Sequence, residues 1–127
     1  QDGGSQHLKI GIEGTAGTTY SNSGANTSYI LTTSSTNLHL GTNSVARWFI
    51  HSSGHLRPSV SGSYDIGSTS ARVRNIYTSD LHMSNEGSSN DVDGSWGDWT
   101  IQEGESDLFL KNNRSGKKYK FNLTEVS

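Results

Sequence analysis

Leu, Ile, Val and Phe fill only 24 of the 127 positions, about 19%, and this scarcity limits what the chain can fold into more than any motif does. Ordering the backbone costs about 1–2 kcal/mol per residue, and few large apolar side chains are present to offset that cost. Such a composition borders on disorder, but disorder also goes with high net charge, and the net charge here is −2. Fifteen Gly, a single Pro and abundant Ser, Thr and Asn favour turns and strands over helices. The expected fold class is therefore all-β, built of short strands and hairpins with no long helices. The length suits one ordinary domain or one segment of a longer assembly. Self-association resolves the shortage of core. If three chains each bring a narrow apolar face to a shared axis, few apolar residues suffice and polar residues cover the rest.

The local pattern agrees with strands. Leu8, Ile10 and Ile12 alternate with Lys9, Gly11 and Glu13, the period of a strand with one buried face. Residues 14–37 are crowded with Gly, Ser, Thr and Asn around Tyr29-Ile30-Leu31, and read as a long loop or as weakly patterned strands. The triplets Leu38-His39-Leu40, Leu81-His82-Met83 and Leu108-Phe109-Leu110 are each strand-like, without a fixed period. Val45 to Ile50 followed by Ser52-Ser53-Gly54 and His55-Leu56-Arg57 predicts a hairpin whose Gly sits in the left-handed position of a G1 bulge. A short turn or single helical turn fits residues 69–74. Asp107 to Asn112 and Lys117 to Leu123 flank Asn113-Arg114-Ser115-Gly116, a hairpin that sets Leu108 and Leu110 on one face with Tyr119, Phe121 and Leu123.

Several functions are disfavoured. No apolar run approaches the roughly 18 residues needed to span a bilayer, and the first residues carry neither the basic segment nor the apolar core of a signal peptide, so no membrane insertion is expected. Without Cys there are no disulfides, thiolate metal sites or Cys nucleophile. The charge balance supplies no global basic field for nucleic acid. No GxSxG, HExxH or P-loop pattern occurs, so no catalytic residue is assigned and no cofactor is expected. Asp91-Val92-Asp93-Gly94-Ser95 with Asp98 begins like a calcium loop but lacks the downstream bidentate Glu, and reads as a solvated turn. His51 and His55 have helical spacing across a Gly turn, and only on a trimer axis would they gather around a transition metal. No metal site is assigned.

Trp48, Trp96, Trp99, Tyr64 and Tyr77 offer flat faces for sugar rings, against the alternative of packing between chains. Trp99, flanked by Asp98 and Thr100, is expected to be the more exposed Trp. Seven acids, Glu86 through Asp107, precede the bases Lys111, Arg114, Lys117, Lys118 and Lys120. This asymmetry suits either mutual pairing between strands or chains, or a basic patch for anionic glycans.

The hairpin Thr42-Asn43-Ser44-Val45-Ala46-Arg47-Trp48-Phe49-Ile50 with Ser52-Ser53-Gly54-His55-Leu56 resembles the repeating unit of bacteriophage tail-fibre proteins. Tyr64-Asp65-Ile66-Gly67-Ser68 with Arg72 and Arg74-Asn75-Ile76-Tyr77 is similar to the "YDLGS…RW..IY" box of the same family, with Val73 where the family has Trp. Trp96 to Glu105, Asp107 to Leu110 and Gly116 to Leu123 resemble the terminal segment of fibres from environmental and marine phages. The resemblance covers residues 38–127. It implies an elongated, intertwined homotrimer of β-prism or β-helix character, extracellular on the virion, touching other virion tail proteins and a host cell-surface glycan or protein receptor. The implied organisation is an N-terminal strand and Gly/Ser/Thr-rich segment (1–37), fibre hairpins (38–84) and a C-terminal tip (85–127). If the C-terminus is distal, Arg114, Lys117, Lys118, Asn112, Asn113 and Trp99 are the candidate receptor-binding residues, with residues 14–37 as the rival location. The other functional classes are a polysaccharide-degrading tailspike enzyme, which needs two carboxylates at a set separation, and a free-standing carbohydrate-binding module.

Overall fold

The computed structural model describes residues 8–17, 21 and 24–126. The reading of 1–37 and of 14–37 extends into 1–7, 18–20, 22 and 23, which lie outside the described residues. Among those described there is no helix, and every strand pairing is antiparallel. The chain divides into two units, one ending at Arg72 and one beginning at Val73.

The first unit holds two sheets. Strands β1 (Leu8–Glu13) and β2 (Thr27–Thr32) form a two-stranded ribbon in which Ile10 faces Ile30 and Gly11 faces Tyr29. Strands β3 (Leu38–Thr42), β4 (Val45–Ile50) and β5 (Leu56–Pro58) form a three-stranded meander. Its first turn is the two-residue loop Asn43-Ser44, both with positive φ, as a type I′ turn requires. A register shift at Leu40/Gly41 adds a bulge. The second turn is as expected: Gly54 has φ +91° and its N–H donates to the His51 carbonyl at 2.7 Å. Tyr64 of the second box packs on this hairpin, its ring 6.4 Å from that of Trp48 and beneath the Arg47 guanidinium at 5.5 Å. Residues 69–74 form no helical turn; the Ser68 N–H donates to the Ala71 carbonyl across a bend.

The second unit is a four-stranded meander of β6 (Asp80–Ser84), β7 (Asp98–Glu103), β8 (Leu108–Asn112) and β9 (Lys118–Lys120), in that order. The three apolar triplets all lie in strands. Leu110 pairs with Tyr119, and the Phe121 N–H donates to the Leu108 carbonyl, so the predicted C-terminal hairpin forms with the predicted face; Leu123 lies beyond it and is exposed.

Register gives each sheet one apolar face. In the ribbon it carries Leu8, Ile10, Ile12 and Ile30. The three-stranded sheet presents Leu38, Leu40, Trp48, Ile50, Leu56 and Pro58. In the four-stranded sheet, Leu81, Ile101, Leu110 and Tyr119 form one cross-strand row, and Leu108 with Phe121 extends it. Among the described residues these faces are only partly covered: Tyr64 packs on Trp48, and Leu38, Ile101 and Leu110 are half-buried. No apolar side chain among the described residues is buried, and Ile10 and Ile12 are 71% and 70% exposed. The expectation that β1 buries its apolar face is corrected: the strand forms, but among the described residues no second layer of the same chain lies on that face. The buried side chains among them are polar, Glu13 and Thr100.

Candidate functional site

The connection from β6 to β7 is long, and two asparagines organise it. Asn85 closes its neck: its side-chain oxygen accepts from the Gly97 N–H at 2.7 Å, while its own N–H donates to the Gly97 carbonyl at 3.2 Å. Asn90 closes its tip. Its Oδ1 accepts from the N–H groups of Val92 and Asp93, an Asx turn, and its Nδ2 donates to Asp93 Oδ1 at 2.7 Å and to the Ser95 carbonyl at 2.8 Å. Asp93 Oδ1 also accepts from the hydroxyl and N–H of Ser95. The Ser95 hydroxyl first, then its N–H, then the Asn90 amide, bring the Asp93 carboxyl from its ordinary 3.8 down to about 2. The Asp91–Ser95 stretch is thus a self-bonded turn. Among the described residues no three His, Asp or Glu side chains gather in a metal-ligating group.

This loop ends on Trp96, and the β8–β9 turn meets it there. The Arg114 guanidinium lies 3.8 Å from the Trp96 ring centroid, and its Nη1 donates to the Trp96 carbonyl at 2.7 Å. The turn is shaped by Asn112, whose Oδ1 accepts from the N–H groups of Arg114 and Ser115. Asn113 anchors it to β7, with its N–H on the Asp98 carbonyl and its Nδ2 on Asp98 Oδ1 at 2.8 Å and Thr100 Oγ1 at 2.9 Å. Between loop and turn lies an open concavity of about 990 Å³. The sheet contributes the cross-strand row Met83, Trp99 and Asn112; the loop contributes Asn85, Asn90, Asp93 and Trp96; the turn contributes Arg114 and Ser115. Gly97 permits the close fit, because a Cβ there would stand 2.9 Å from the Trp99 indole nitrogen.

Of the six residues singled out from the sequence, Trp99, Asn112 and Arg114 line this concavity. Asn113 faces the other way and is occupied by Asp98 and Thr100. Lys117 and Lys118 are exposed outside the concavity, and Lys118 lies opposite Lys111 on the polar face. Trp99, Trp48 and Trp96 are all half-buried. The Trp99 ring sits 5.9 Å from that of Tyr119. Among the described residues the acidic and basic blocks meet in one ion pair, Lys120 to Asp107 at 2.8 Å. Asn85, Asn90 and the Trp96–Arg114 pairing went unassigned from the sequence, although the Asn90-x-x-Asp93-x-Ser95 spacing is an Asx-turn signal.

Comparison with protein-family models, curated proteins and solved structures finds no match to this chain.

Proposed function

We propose that this chain is a structural and receptor-binding segment of a homotrimeric bacteriophage tail fibre, non-catalytic and exposed on the virion. The observation that carries the reading is the incompletely covered apolar face on each of three sheets, in a chain with no buried apolar side chain among its described residues. A half-apolar sheet needs a covering layer. Two further copies of the same chain supply one by symmetry, with the hydrophobic gain proportional to the area they cover. The resemblance of residues 38–127 to fibre hairpins points to the same assembly. The packing of Tyr64 on Trp48 and Arg47 joins two of the resembling boxes into one structural piece.

Sedimentation of the purified chain at micromolar concentration tests this. A single species of three chains is expected; a folded, monodisperse monomer would overturn the assembly. A monomer that still binds glycan would instead favour the free-standing carbohydrate-binding module, the reading supported by a concavity whose walls all come from one chain.

A further inference from the structure

The geometry points to the concavity between Trp96, Trp99 and Arg114 as a binding site for a neutral pyranose. This deepens the attachment reading and rests on it for its biological setting.

The surroundings match both sides of a sugar ring. Pyranoses present C–H faces that lie on aromatic rings, and hydroxyls that both donate and accept. Trp96, at the end of the loop, and Trp99, on β7, both line the concavity, and the Arg114 guanidinium covers one face of Trp96. The Asn112 amide nitrogen and the second carboxylate oxygen of Asp93 have no hydrogen-bond partner among the described residues, where only Asn112 Oδ1 and Asp93 Oδ1 are engaged. One donor and one acceptor are thereby left for hydroxyls. A mostly preformed cleft with a few oriented polar groups is the usual form of a small-ligand site.

The charges choose among sugars. The Arg114 guanidinium is stacked on Trp96 and held by its carbonyl through Nη1, which fixes its position while leaving its charge in the site. Asp93 lines the same concavity and stays ionised at ordinary pH. With Arg114 and Asp93 both lining it, the concavity carries no net charge, so a uronate or phosphate gains from the one what it loses to the other, and Lys117 and Lys118, which would tip that balance, lie outside. A neutral hexose or N-acetylhexosamine enters without having to desolvate a charge.

Saturation-transfer NMR on the full chain tests this with the methyl glycosides of glucose, galactose, mannose and N-acetylglucosamine, and with glucuronate and galacturonate. At least one neutral glycoside is expected to bind saturably, in the millimolar range normal for a single sugar, and more tightly than either uronate. Trp96→Ala is expected to weaken it at least tenfold, while Trp96→Phe, which keeps an aromatic face, loses less. Lys117→Ala with Lys118→Ala is expected to leave it unchanged. Asp93→Asn is expected to narrow the gap between neutral and acidic sugars. No saturable neutral binding, tighter uronate binding by the native chain, or neutral binding untouched by Trp96→Ala in a protein with native amide spectra would overturn the site. Sedimentation separates the two readings: a trimer without binding removes the site and leaves the fibre, whereas binding by a monomer removes the fibre and leaves the site.

Discussion

Thr100 stands mid-strand in β7 with 2% of its surface exposed, on the polar face of a sheet whose apolar face is incompletely covered. Register explains this. A short side chain between His82 on β6 and Lys111 on β8 is roofed by its longer neighbours and by Asn113. Its hydroxyl is bonded to Asn113 Nδ2 at 2.9 Å and to His82 Nδ1 at 3.0 Å. Thr100→Val keeps the shape but removes both bonds. It should cost about 1–3 kcal/mol, the penalty for leaving buried polar partners unsatisfied, read as a lower denaturation midpoint with unchanged slope. In a Thr100→Val background, Asn113→Ala should add less than it costs in the native chain, because the shared bond is already gone.

At the scale of elements, the loop from 85 to 97 behaves as a unit because Asn85 closes its neck and Asn90 its tip. Its acid sensitivity follows from Asp93. The native carboxyl titrates near 2 and the unfolded one near 3.8. The stabilisation it lends is therefore complete above about pH 4, and is lost as pH falls through about 2. The Ser95 amide proton should titrate with a midpoint near 2 by NMR. In Asn90→Ala, which removes one of the hydrogen bonds to Asp93, the midpoint should move up toward 3.8. A wild-type midpoint at the ordinary value would mean that the Asx turn does not hold the loop in solution. The hairpins follow simpler rules. Ser52-Ser53-Gly54 closes β4 onto β5 through a left-handed Gly, and the bulge opposite Leu40/Gly41 places the extra residue, Arg47, on β4 next to the Asn43-Ser44 turn.

For the whole molecule, stability and assembly should be one transition. Phe121 and Leu108 continue the apolar row of Leu81, Ile101, Leu110 and Tyr119, and none of these is buried in the single chain. If copies cover that row, Phe121→Ala removes a large side chain from a shared core. It should lower stability by roughly 3–5 kcal/mol per chain, with loss of the trimer at the same denaturant concentration as loss of strand signal. The melting temperature of the native protein should also rise with protein concentration, as it does when folding and association are coupled. A concentration-independent melt, with Phe121→Ala costing under about 1 kcal/mol, would show that this face is solvent-exposed in use. The row Met83, Trp99 and Asn112 lies on the same face but opens into the concavity, so its substitution should alter binding more than assembly.

Local chemistry was legible in the residues themselves: the strand at Leu8 to Glu13, the Gly54 turn, the three apolar triplets and the C-terminal hairpin all follow from alternation and turn chemistry, which act over a few neighbouring residues. The all-β class followed from composition for the same reason. The Asn43-Ser44 turn was harder to see, since Ser is an unusual residue at positive φ. What only the tertiary structure decided depends on residues far apart in sequence. Arg114 reaches Trp96 across 18 positions, and Asn113 turns from solvent to Asp98 and Thr100, so a basic, amide-rich turn read as an open donor surface became half anchor and half wall. Alternation places Ile10 and Ile12 on one face but does not say what covers it; that depends on the layers a fold brings together, and among the described residues of this chain no layer covers them.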